Sequence, residues 1–437
     1  MKDIIDNVQA GDVLLDIPNF ESSYASRVTA GDGGYTFIYA DATEETFVTY
    51  KAMLGKAGFA LYTENAFNAV YEECAVKNLF ATYISKITQV DVEYHSADSR
   101  IYVTATPRTS SILPPVTQPV YTPLGKEYPT ILTQFGFEDI FVGEHSMGYI
   151  IRIADGSFII IDAGDKFDEV PERIYKILKK QAPDPDNIVI SAWILTHAHP
   201  DHTKGFDSFA RKYGNDNTIT VKQIVYNFPD DSTLNAVDAY NKGVNLESIS
   251  FFRNAPEILK PHTGNVLYYA DVKFNVLYTQ ENYLAVSDHF GNFNTSSLVL
   301  QMITADGTKT LIAADHPVNG VYAGVTWCQA ALPRSYGSFV ESEVCTTFHH
   351  GNGGGANRTV YWVIKPKIVL WNAIKARVEK DKTYAFDFNK YFADPETAKE
   401  NGVVAYRAED NVQILNYSDG KLSVKEYDDI TEYLSSK

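Results

Sequence analysis

The chain has few cysteines and no long apolar run. Its three cysteines, Cys74, Cys328 and Cys345, are widely spaced, and none lies in a CxxC pair. An odd number of scattered thiols excludes a disulfide framework and predicts reduced cysteines in a cytoplasmic protein. No stretch of about 18 apolar residues occurs, so no membrane span is expected. The opening residues 1–7 lack the apolar core of a signal peptide, so none is expected there either.

Positive charge is also scarce. The 38 Lys and Arg residues are outnumbered by 55 Asp and Glu residues, which gives a net charge of −17. Extended binding to nucleic acid needs a basic surface that displaces counterions from phosphates, so this composition argues against it. We expect a small-molecule substrate as the partner, with no membrane association. The oligomeric state stays open.

Prolines divide the chain into two parts. Residues 106–129 contain six prolines with Ser and Thr between them. This composition prevents helix formation and removes donors from sheet ladders, so it predicts an extended linker. The linker separates an N-terminal α+β domain of unknown role, residues 1–105, from a second domain over 130–437. Two domains also suit the length of the chain.

Hydrophobic periodicity predicts the elements of the first domain. Strands are expected at 35–39, 90–94 and 101–105, and helices at 43–54 and 66–79. The second helix is predicted from residues that recur at helical spacing and should face the core, namely Phe67, Val70, Tyr71 and Cys74. No metal or nucleophile motif occurs before residue 130, and His95 is expected at the surface.

The second domain has a β-rich α/β pattern. Two apolar runs joined by Asp155-Gly156 predict a hairpin over 149–161. A helix with one apolar face is predicted over 169–181, and the apolar run at 188–195 predicts a buried strand. Further strands are expected at 221–226, 298–303, 310–313, 367–371 and 412–415.

The stretch Thr196-His197-Ala198-His199-Pro200-Asp201-His202 follows the buried strand directly. Three histidines and an aspartate lie within six positions, although the whole chain has only 10 histidines. Imidazole and carboxylate together suit zinc, iron or manganese. A short loop at a strand end can direct His197 and His199 at one ion, and Asp201 and His202 at a neighbouring one. The pattern therefore predicts a metal site.

These residues resemble the metallo-β-lactamase superfamily. The resemblance rests on the HxHxDH string at 197–202, on the earlier Ile161-Asp162-Ala163-Gly164, and on the later Ile312-Ala313-Ala314-Asp315. Within the superfamily, the chain is most similar to the hydrolase-like domain of competence-type DNA-internalisation proteins, through 142–144, 294–300 and 348–352. The resemblance covers about residues 135–427 and omits the N-terminal domain. The HxHxDH string is highly specific, whereas the other strings are weak singly and gain weight from their order.

The resemblance implies an αββα sandwich, an α/β fold, with the N-terminal α+β domain added to it. It also implies a metal site at one edge of two packed sheets. His197 and His199 would hold the first ion and Asp201 and His202 the second, with Asp315 bridging the two.

The remaining ligands are less well defined. One of His349 and His350 would complete the second site. The first site takes one more histidine in the family, and His289 is the candidate, with an ordinary loop histidine as the alternative. Competence-type members often lack this histidine. The family's usual glycine before the bridging aspartate is Ala314 here.

Roles for the neighbouring residues follow from geometry. Adjacent side chains at a strand end point in opposite directions, so only one of the two histidines at 349–350 should face the metal easily. The glycines after His350 favour it as the ligand, with His349 as the substrate-facing group and general acid. Asp162 is expected to orient the histidine loop through hydrogen bonds, and His316 to point away from the ions.

The function expected from these residues is hydrolysis. Two divalent ions, zinc first with manganese or iron as alternatives, would share a hydroxide formed from water whose pKa falls to about 7. Asp201 would hold this hydroxide in line with a phosphorus or carbonyl centre. We therefore expect a metal-dependent hydrolase of a small anionic phosphodiester or related ester. The alternatives are a lactam, lactone or thioester hydrolase, an iron redox enzyme, for which no flavin motif is seen, or a binding or sensing protein with a degenerate metal site.

Overall fold

The computed structural model describes residues 17–18, 24–30, 34–108, 111–136, 146–165, 169–229, 242–284, 292–316, 331–351, 358–373, 392, 395–407, 411–418 and 421–436. Within these ranges, no helix is long and apolar enough to cross a membrane. The described residues form an N-terminal unit followed by a two-sheet sandwich.

The N-terminal unit is a six-stranded antiparallel sheet with a helix on one face. Its elements are β1 (Tyr24–Ala30), β2 (Gly34–Tyr39), α1 (Glu44–Lys56), β3 (Ala60–Ala66), β4 (Ala69–Tyr71), β5 (Cys74–Val76), β6 (Asn78–Ile84), β7 (Thr88–His95) and β8 (Arg100–Pro107). The strand order is β1-β2-β8-β7-β6-β3, and β4 pairs with β5 alone. Helix α1 begins after Thr43, whose hydroxyl accepts a hydrogen bond from the Thr46 N–H. The three predicted strands and the first predicted helix are confirmed.

The helix predicted at 66–79 is wrong. This stretch contains the end of β3, the small β4–β5 hairpin and the start of β6. Of the residues predicted to face the core, Phe67 is buried but Val70 is 52% exposed and Cys74 is exposed. The hairpin turns at Glu72 and Glu73, which have φ angles of 47° and 68°. Four apolar positions could not separate a helix from a short hairpin whose turn carries no glycine.

The second unit contains sixteen named strands within the described residues. In chain order they are β9 (Thr130–Phe135), β10 (Gly148–Arg152), β11 (Phe158–Asp162), β12 (Ile188–Ile194), β13 (Ile219–Val221), β14 (Gln223–Val225), β15 (Glu257–Leu259), β16 (Val266–Tyr269), β17 (Val272–Tyr278), β18 (Val299–Ile303), β19 (Lys309–Ile312), β20 (Val344–Thr346), β21 (Ile368–Trp371), β22 (Val404–Arg407), β23 (Val412–Ser418) and β24 (Lys421–Tyr427). The first sheet has the order β15-β14-β12-β11-β10-β9-β23-β24, with β13 also paired to β12, and the second runs β16-β17-β18-β19-β20-β21-β22. The predicted strands of this unit are confirmed, although 221–226 divides between β13 and β14.

The two sheets pack face to face. Ile151, Ile161 and Ile194 from the first sheet meet Phe274, Leu300 and other apolar residues of the second in one buried cluster. Side chains alternate along each strand, so the residues between them face outward and need a second covering layer.

Helices supply that covering. They are α2 (Glu169–Gln181), α3 (Pro200–Tyr213), α4 (Gln280–Leu284), α5 (Ala331–Tyr336), α6 (Arg358–Ile364), α7 (Pro395–Glu400) and α8 (Ile430–Ser435). Trp193 of β12 packs against Phe206 and Phe209 of α3, with ring centroids 5.1 and 5.0 Å apart. On the other side, Val360 and Tyr361 of α6 share a buried cluster with strands of the second sheet. The molecule therefore contains the predicted αββα sandwich, and helix α2 has the predicted bounds.

The N-terminal unit packs against the sandwich through aromatic side chains. Phe67 stacks on Phe339 at 4.7 Å between ring centroids. His95 is 4% exposed, so the prediction that it lies at the surface is wrong. Its ring lies edge-on to Phe80 and Tyr102, both 5.6 Å away. Tyr336 of the second unit also lies edge-on to His95, with ring centroids 6.0 Å apart, and a contact so distant in the chain leaves no local pattern.

Charged and amide groups are also buried between the two units. His262 Nε2 lies 3.8 Å from Asp91 Oδ2, and its Nδ1 lies 3.2 Å from Glu281 Oε1. Asn282 donates to Glu93 Oε2 over 2.9 Å. We call Asp91, Glu93, His262 and Glu281 the interface cluster.

The proline-rich stretch follows the surface of the sandwich. Over 111–129 it forms no helix or strand, and Ile112 makes a single parallel bridge to Leu259. Tyr62 donates to the Pro114 carbonyl over 2.8 Å, and Leu124 N–H donates to the Asp155 carbonyl over 2.7 Å. The division into domains at 105 and 130 stays a prediction.

Candidate metal centre

The candidate ligands lie where strands of both sheets end. β11 and β12 are parallel neighbours, so Asp162 and the histidine loop leave the first sheet at the same edge. β19, β20 and β21 are also parallel, so Asp315 and the 349–350 pair leave the second sheet together. Carboxyl ends of parallel strands are where such folds place their sites.

The histidine loop passes directly into helix α3. His199 is the N-cap residue, with extended backbone angles, and Pro200 takes the first helical position. Proline suits this position because the N–H that it lacks has no intrahelical partner there. Asp201 and His202 therefore lie in the first turn of α3, while His197 and His199 precede it.

One group of ligand atoms is tightly convergent. Asp201, His202, Asp315 and His350 each direct one nitrogen or oxygen atom into a space where all four atoms lie within 4.8 Å of one another. His202 Nε2 and His350 Nε2 are 3.1 Å apart, and each is 3.2 Å from Asp315 Oδ1. His350 Nε2 also lies 3.3 Å from Asp201 Oδ2. We call this set the second ligand group.

Hydrogen bonds behind the rings define which atoms carry lone pairs. His350 Nδ1 lies 2.9 Å from the Asn372 carbonyl oxygen, which can only accept, so Nδ1 carries the proton. His202 Nδ1 lies 2.8 Å from Asp162 Oδ2 and donates to it in the same way. In the neutral rings both Nε2 atoms then present lone pairs to each other and to Asp315.

This arrangement fits a cation. Asp315 Oδ1 is buried, and no described residue gives it a well-formed hydrogen bond. Buried acceptors that face one another are costly unless a proton or a metal ion lies between them. The nitrogen and oxygen donors suit zinc, manganese or iron. The residues present therefore fit a divalent metal ion.

The electrostatics of the second ligand group show the same demand for positive charge. Burial lowers the pKa of His202, but Asp315 and Asp162 raise it well above its ordinary value. Burial also lowers the pKa of His350, and Asp315 with Asp201 raises it to about 9. Burial raises the pKa of Asp315, yet His350, His202 and His349 hold it well below its usual range.

His197, His199 and Asp315 form a second convergent set, which we call the first ligand group. His197 Nε2 lies 3.2 Å from His199 Nδ1 and 3.7 Å from Asp315 Oδ2. Burial, followed by the neighbouring His202, lowers the pKa of His197 well below its ordinary value, so this ring is neutral and able to ligate. Asp315 thus directs one oxygen to each group.

Asp162 orients the histidine loop, as the sequence predicted. Its Oδ1 accepts from the Thr196 N–H over 2.8 Å, and its Oδ2 accepts from the Thr196 hydroxyl over 2.7 Å as well as from His202. One buried carboxylate thereby fixes the start of the loop and the ring of His202 together.

The paired histidines do not follow strand geometry. β20 ends at Thr346, and the φ angles of His349, His350 and Gly351 are 48°, 52° and 77°. Left-handed backbone costs a non-glycine residue about 1–2 kcal/mol. Both rings consequently approach Asp315, with His349 Nε2 3.8 Å from Oδ2. The expectation that the two side chains point in opposite directions is wrong, because the chain leaves the strand before it reaches them.

The structure places three other residues that the sequence analysis discussed. His289 lies outside the described residues. Ala314 adopts the left-handed conformation with a φ of 47°, which explains why glycine suits this position. His316 is buried and packs on Tyr278, with ring centroids 4.2 Å apart, and burial lowers its pKa to about 3.

Two residues near the histidines were missed by sequence reasoning. Asn372 follows β21 and accepts from His350 through its backbone carbonyl, so its side-chain type gave no signal. Asn294 Nδ2 lies 3.1 Å from His349 Nε2. Asn294 belongs to a string that contributed to the family resemblance, but nothing in the sequence assigned it a contact.

A comparison with models of known protein families finds a match within the second unit. Residues 143–279 match the family model for the metallo-beta-lactamase superfamily. The match includes the histidine loop and α3 and ends before Asp315. Over these residues the chain is therefore similar to the metallo-β-lactamase superfamily.

Solved structures give similarities at low identity. CmlA, a diiron β-hydroxylase from Streptomyces venezuelae, aligns over 69% of this chain and 55% of its own, at 10% identity and a TM-score of 0.40. This chain thus spans about half the length of CmlA. A metallo-β-lactamase with a HARLDQ motif from Cronobacter sakazakii aligns over 46% of this chain and 71% of its own, at 14% identity and a TM-score of 0.28. No curated protein matches the sequence.

Proposed function

We propose that the protein is a metal-dependent hydrolase that acts on a small anionic ester, with phosphodiesters first among the substrates. The observation that carries the proposal is the convergence of the second ligand group on one space, with Asp315 shared by the first ligand group. When bound, two divalent ions would supply an activated water and stabilise negative charge that develops in the reaction.

The chain's own residues would hold and orient this centre. His202 and His350 would ligate through Nε2, because Asp162 and the Asn372 carbonyl occupy their Nδ1 atoms. Asp315 would bridge, since its two oxygens face different groups. Such fixed rings lose little freedom when they bind an ion.

The candidate ligands differ in their exposure. The side chains of His197, His202 and His350 are fully buried, whereas His199 and Asp201 are partly exposed. Substrate would therefore enter past His199 and Asp201. A carboxylate has more lone pairs than one ligand bond uses, so Asp201 can also accept a hydrogen bond from the attacking water and take its proton.

Charge supports an anionic substrate of limited size. Two divalent ions carry four positive charges against the two carboxylates of Asp201 and Asp315, so the centre would favour an anion. The whole chain has a net charge of −17, which disfavours a long polyanion. The resemblance of 294–300 and 348–352 to competence-type proteins also favours phosphodiesters over lactams, lactones and thioesters.

The test combines metal analysis with a substrate panel. The full-length protein is loaded with zinc, manganese or ferrous iron, its metal content is measured by mass spectrometry, and turnover is assayed on bis(4-nitrophenyl) phosphate, a β-lactam, a lactone and a thioester. We expect up to two ions per chain and fastest turnover of the phosphodiester. Bound ions with no ester turnover would instead support a binding protein or, with iron, a redox enzyme. Faster turnover of another ester would reassign the substrate.

A further inference from the structure

Asn294 lies in a short 3₁₀ turn, Phe293–Ser296, that is tied to the histidine loop. The Phe293 ring lies edge-on to His199, with centroids 5.6 Å apart. The Leu298 N–H just after the turn donates to the Thr196 carbonyl over 2.9 Å. The Asn292 side chain accepts from the Asn294 N–H over 2.8 Å. The turn therefore holds Asn294 in a fixed place beside the centre.

From this place the buried Asn294 amide reaches across to the other loop of the site. Its Nδ2 lies 3.1 Å from His349 Nε2. The amide can present either its N–H or its oxygen to the ring, because the two ends have the same shape. In both orientations the bond occupies Nε2, the atom of His349 that lies 3.8 Å from Asp315 Oδ2.

The two adjacent histidines, His349 and His350, are held in different ways, which can give one the role of metal ligand and the other a different role. Their left-handed backbone brings both rings to Asp315. The His350 ring is held from behind at Nδ1, which leaves Nε2 for an ion. The His349 ring is held at Nε2 itself. His349 is accordingly absent from both convergent ligand sets of the described residues, whereas His350 belongs to one of them.

We propose that Asn294 is a positioning residue that holds His349 by Nε2, keeps it out of the metal set and leaves His350 as the ligand of the pair. His349 then faces the substrate with a ring whose tautomer Asn294 sets. This inference deepens the proposed function and rests on it only where turnover is concerned.

The direct test is nuclear magnetic resonance of the full chain labelled with ¹⁵N in the histidine rings and loaded with ¹¹³Cd²⁺. Scalar coupling to cadmium identifies each nitrogen that ligates, and loss of signals in His349→Gln assigns that ring. We expect coupling at His350 Nε2 and none at His349. Coupling at His349 would overturn the proposal. No substrate is used, so a failure of the phosphodiesterase assay leaves this result intact.

Variants test the positioning step. Asn294→Leu keeps the branched shape but removes the hydrogen bond, and Asn275→Leu makes the same change at a buried amide that bonds Gln301. We expect Asn294→Leu alone to move the ¹⁵N shift of His349 Nε2, with or without metal. It should lower turnover about 10- to 100-fold at unchanged metal content. In the His349→Gln background it should cost nothing further.

An unchanged His349 shift, or fully additive losses of turnover in the double variant, would overturn the role of Asn294. If Asn294→Leu fails to fold, Asn294→Ser replaces it, and the coupling measurement on the unaltered protein needs no variant. If no metal binds, the proposed function fails, and the shift in the metal-free protein still decides whether Asn294 holds the ring.

Discussion

Two buried clusters of charged and polar residues differ in how their atoms are matched. In the interface cluster, positive and negative groups alternate: His262 lies between Asp91 and Glu281. Asp91 also accepts from Thr82 over 2.6 Å, and Glu281 accepts from Asn227 over 3.0 Å. Asp91 and Glu281 each have His262 as the cation and a neutral donor as well, as a buried ion needs.

The second ligand group is arranged differently. Its rings donate outward, to Asp162 and to the Asn372 carbonyl, and present acceptors inward. Without an ion, positive charge there comes only from protons on His202 and His350, whose pKa values Asp315 helps to raise. The contrast teaches that buried His and Asp residues alone do not indicate a metal site. The direction of their donors distinguishes a structural cluster from one that awaits a cation.

The largest effect should come from His202→Ala. Removal of this ring deletes a member of the second ligand group, so metal affinity should fall by more than about 100-fold and turnover should be lost. The measurement is metal content after dialysis against a weak chelator. His262→Asn, in the interface cluster, is the matched control and should retain its metal. Equal metal content in both variants would contradict the assignment of His202.

His262→Asn should act on stability instead. Loss of the cation leaves Asp91 and Glu281 buried with only their neutral donors, so the free energy of unfolding should fall by about 3 kcal/mol. Chemical denaturation of the metal-free variant and parent protein measures this difference. An unchanged midpoint would show that His262 is uncharged in the folded protein.

Asp162→Asn should weaken metal binding without unfolding the protein. The amide keeps the volume of the side chain but offers no charged acceptor to the His202 Nδ1–H. Metal affinity should therefore fall about 10- to 100-fold. Asp207→Asn is the control, because Asp207 accepts from Ser248 and Asn245 and has no hydrogen bond or ion pair with a candidate ligand among the described residues. Competition with a chromogenic chelator gives both affinities. Equal losses of metal affinity in the two variants would contradict the orienting role of Asp162.

The interface cluster should also respond to pH. Burial lowers the pKa of His262, but Asp91 and Glu281 raise it above its ordinary value, with Lys260 opposing them. A histidine whose pKa is raised in the folded protein contributes its full stabilisation below about pH 6.5, the pKa of a histidine in the unfolded chain. That stabilisation is lost as the pH rises through the pKa of the histidine in the folded protein. The stability difference between the parent protein and His262→Asn should therefore shrink between mildly acidic and alkaline pH. A constant difference would contradict the charge assigned to His262.

Ala314→Gly should have the smallest effect. Glycine relieves the left-handed strain of about 1–2 kcal/mol, and its extra freedom in the unfolded chain costs about 0.5–1 kcal/mol. We expect a gain in stability of less than about 1 kcal/mol, measured by denaturation. Ala313→Gly, one residue earlier and outside the left-handed region, should destabilise instead. A loss in both variants would mean that the buried methyl of Ala314 outweighs the strain.

The sequence by itself determined most strands of the second unit, and the resemblance that it carries implied the sandwich. Buried strands carry continuous apolar runs and α2 carries a clear 3.6-residue period, so local patterns suffice for them. It also determined the histidine loop, because its ligand types are adjacent in the chain and rare elsewhere. The same local reasoning failed at 66–79, where four apolar positions lay in a hairpin.

Only the tertiary structure decided how distant residues meet at the centre, although the family resemblance had already pointed to Asp315 and to one of His349 and His350. Asp162, Asp315 and Asn372 meet His202 and His350 because parallel strands end at one edge. The left-handed turn at 349–350 placed both rings beside the Asp315 carboxylate, which strand alternation cannot foresee. The burial of His95 and the charge pairing of His262 likewise depend on residues far away in the chain, Tyr336 and Asp91. A pattern in sequence records neighbours along the chain, whereas hydrogen-bond direction and charge pairing depend on neighbours in space.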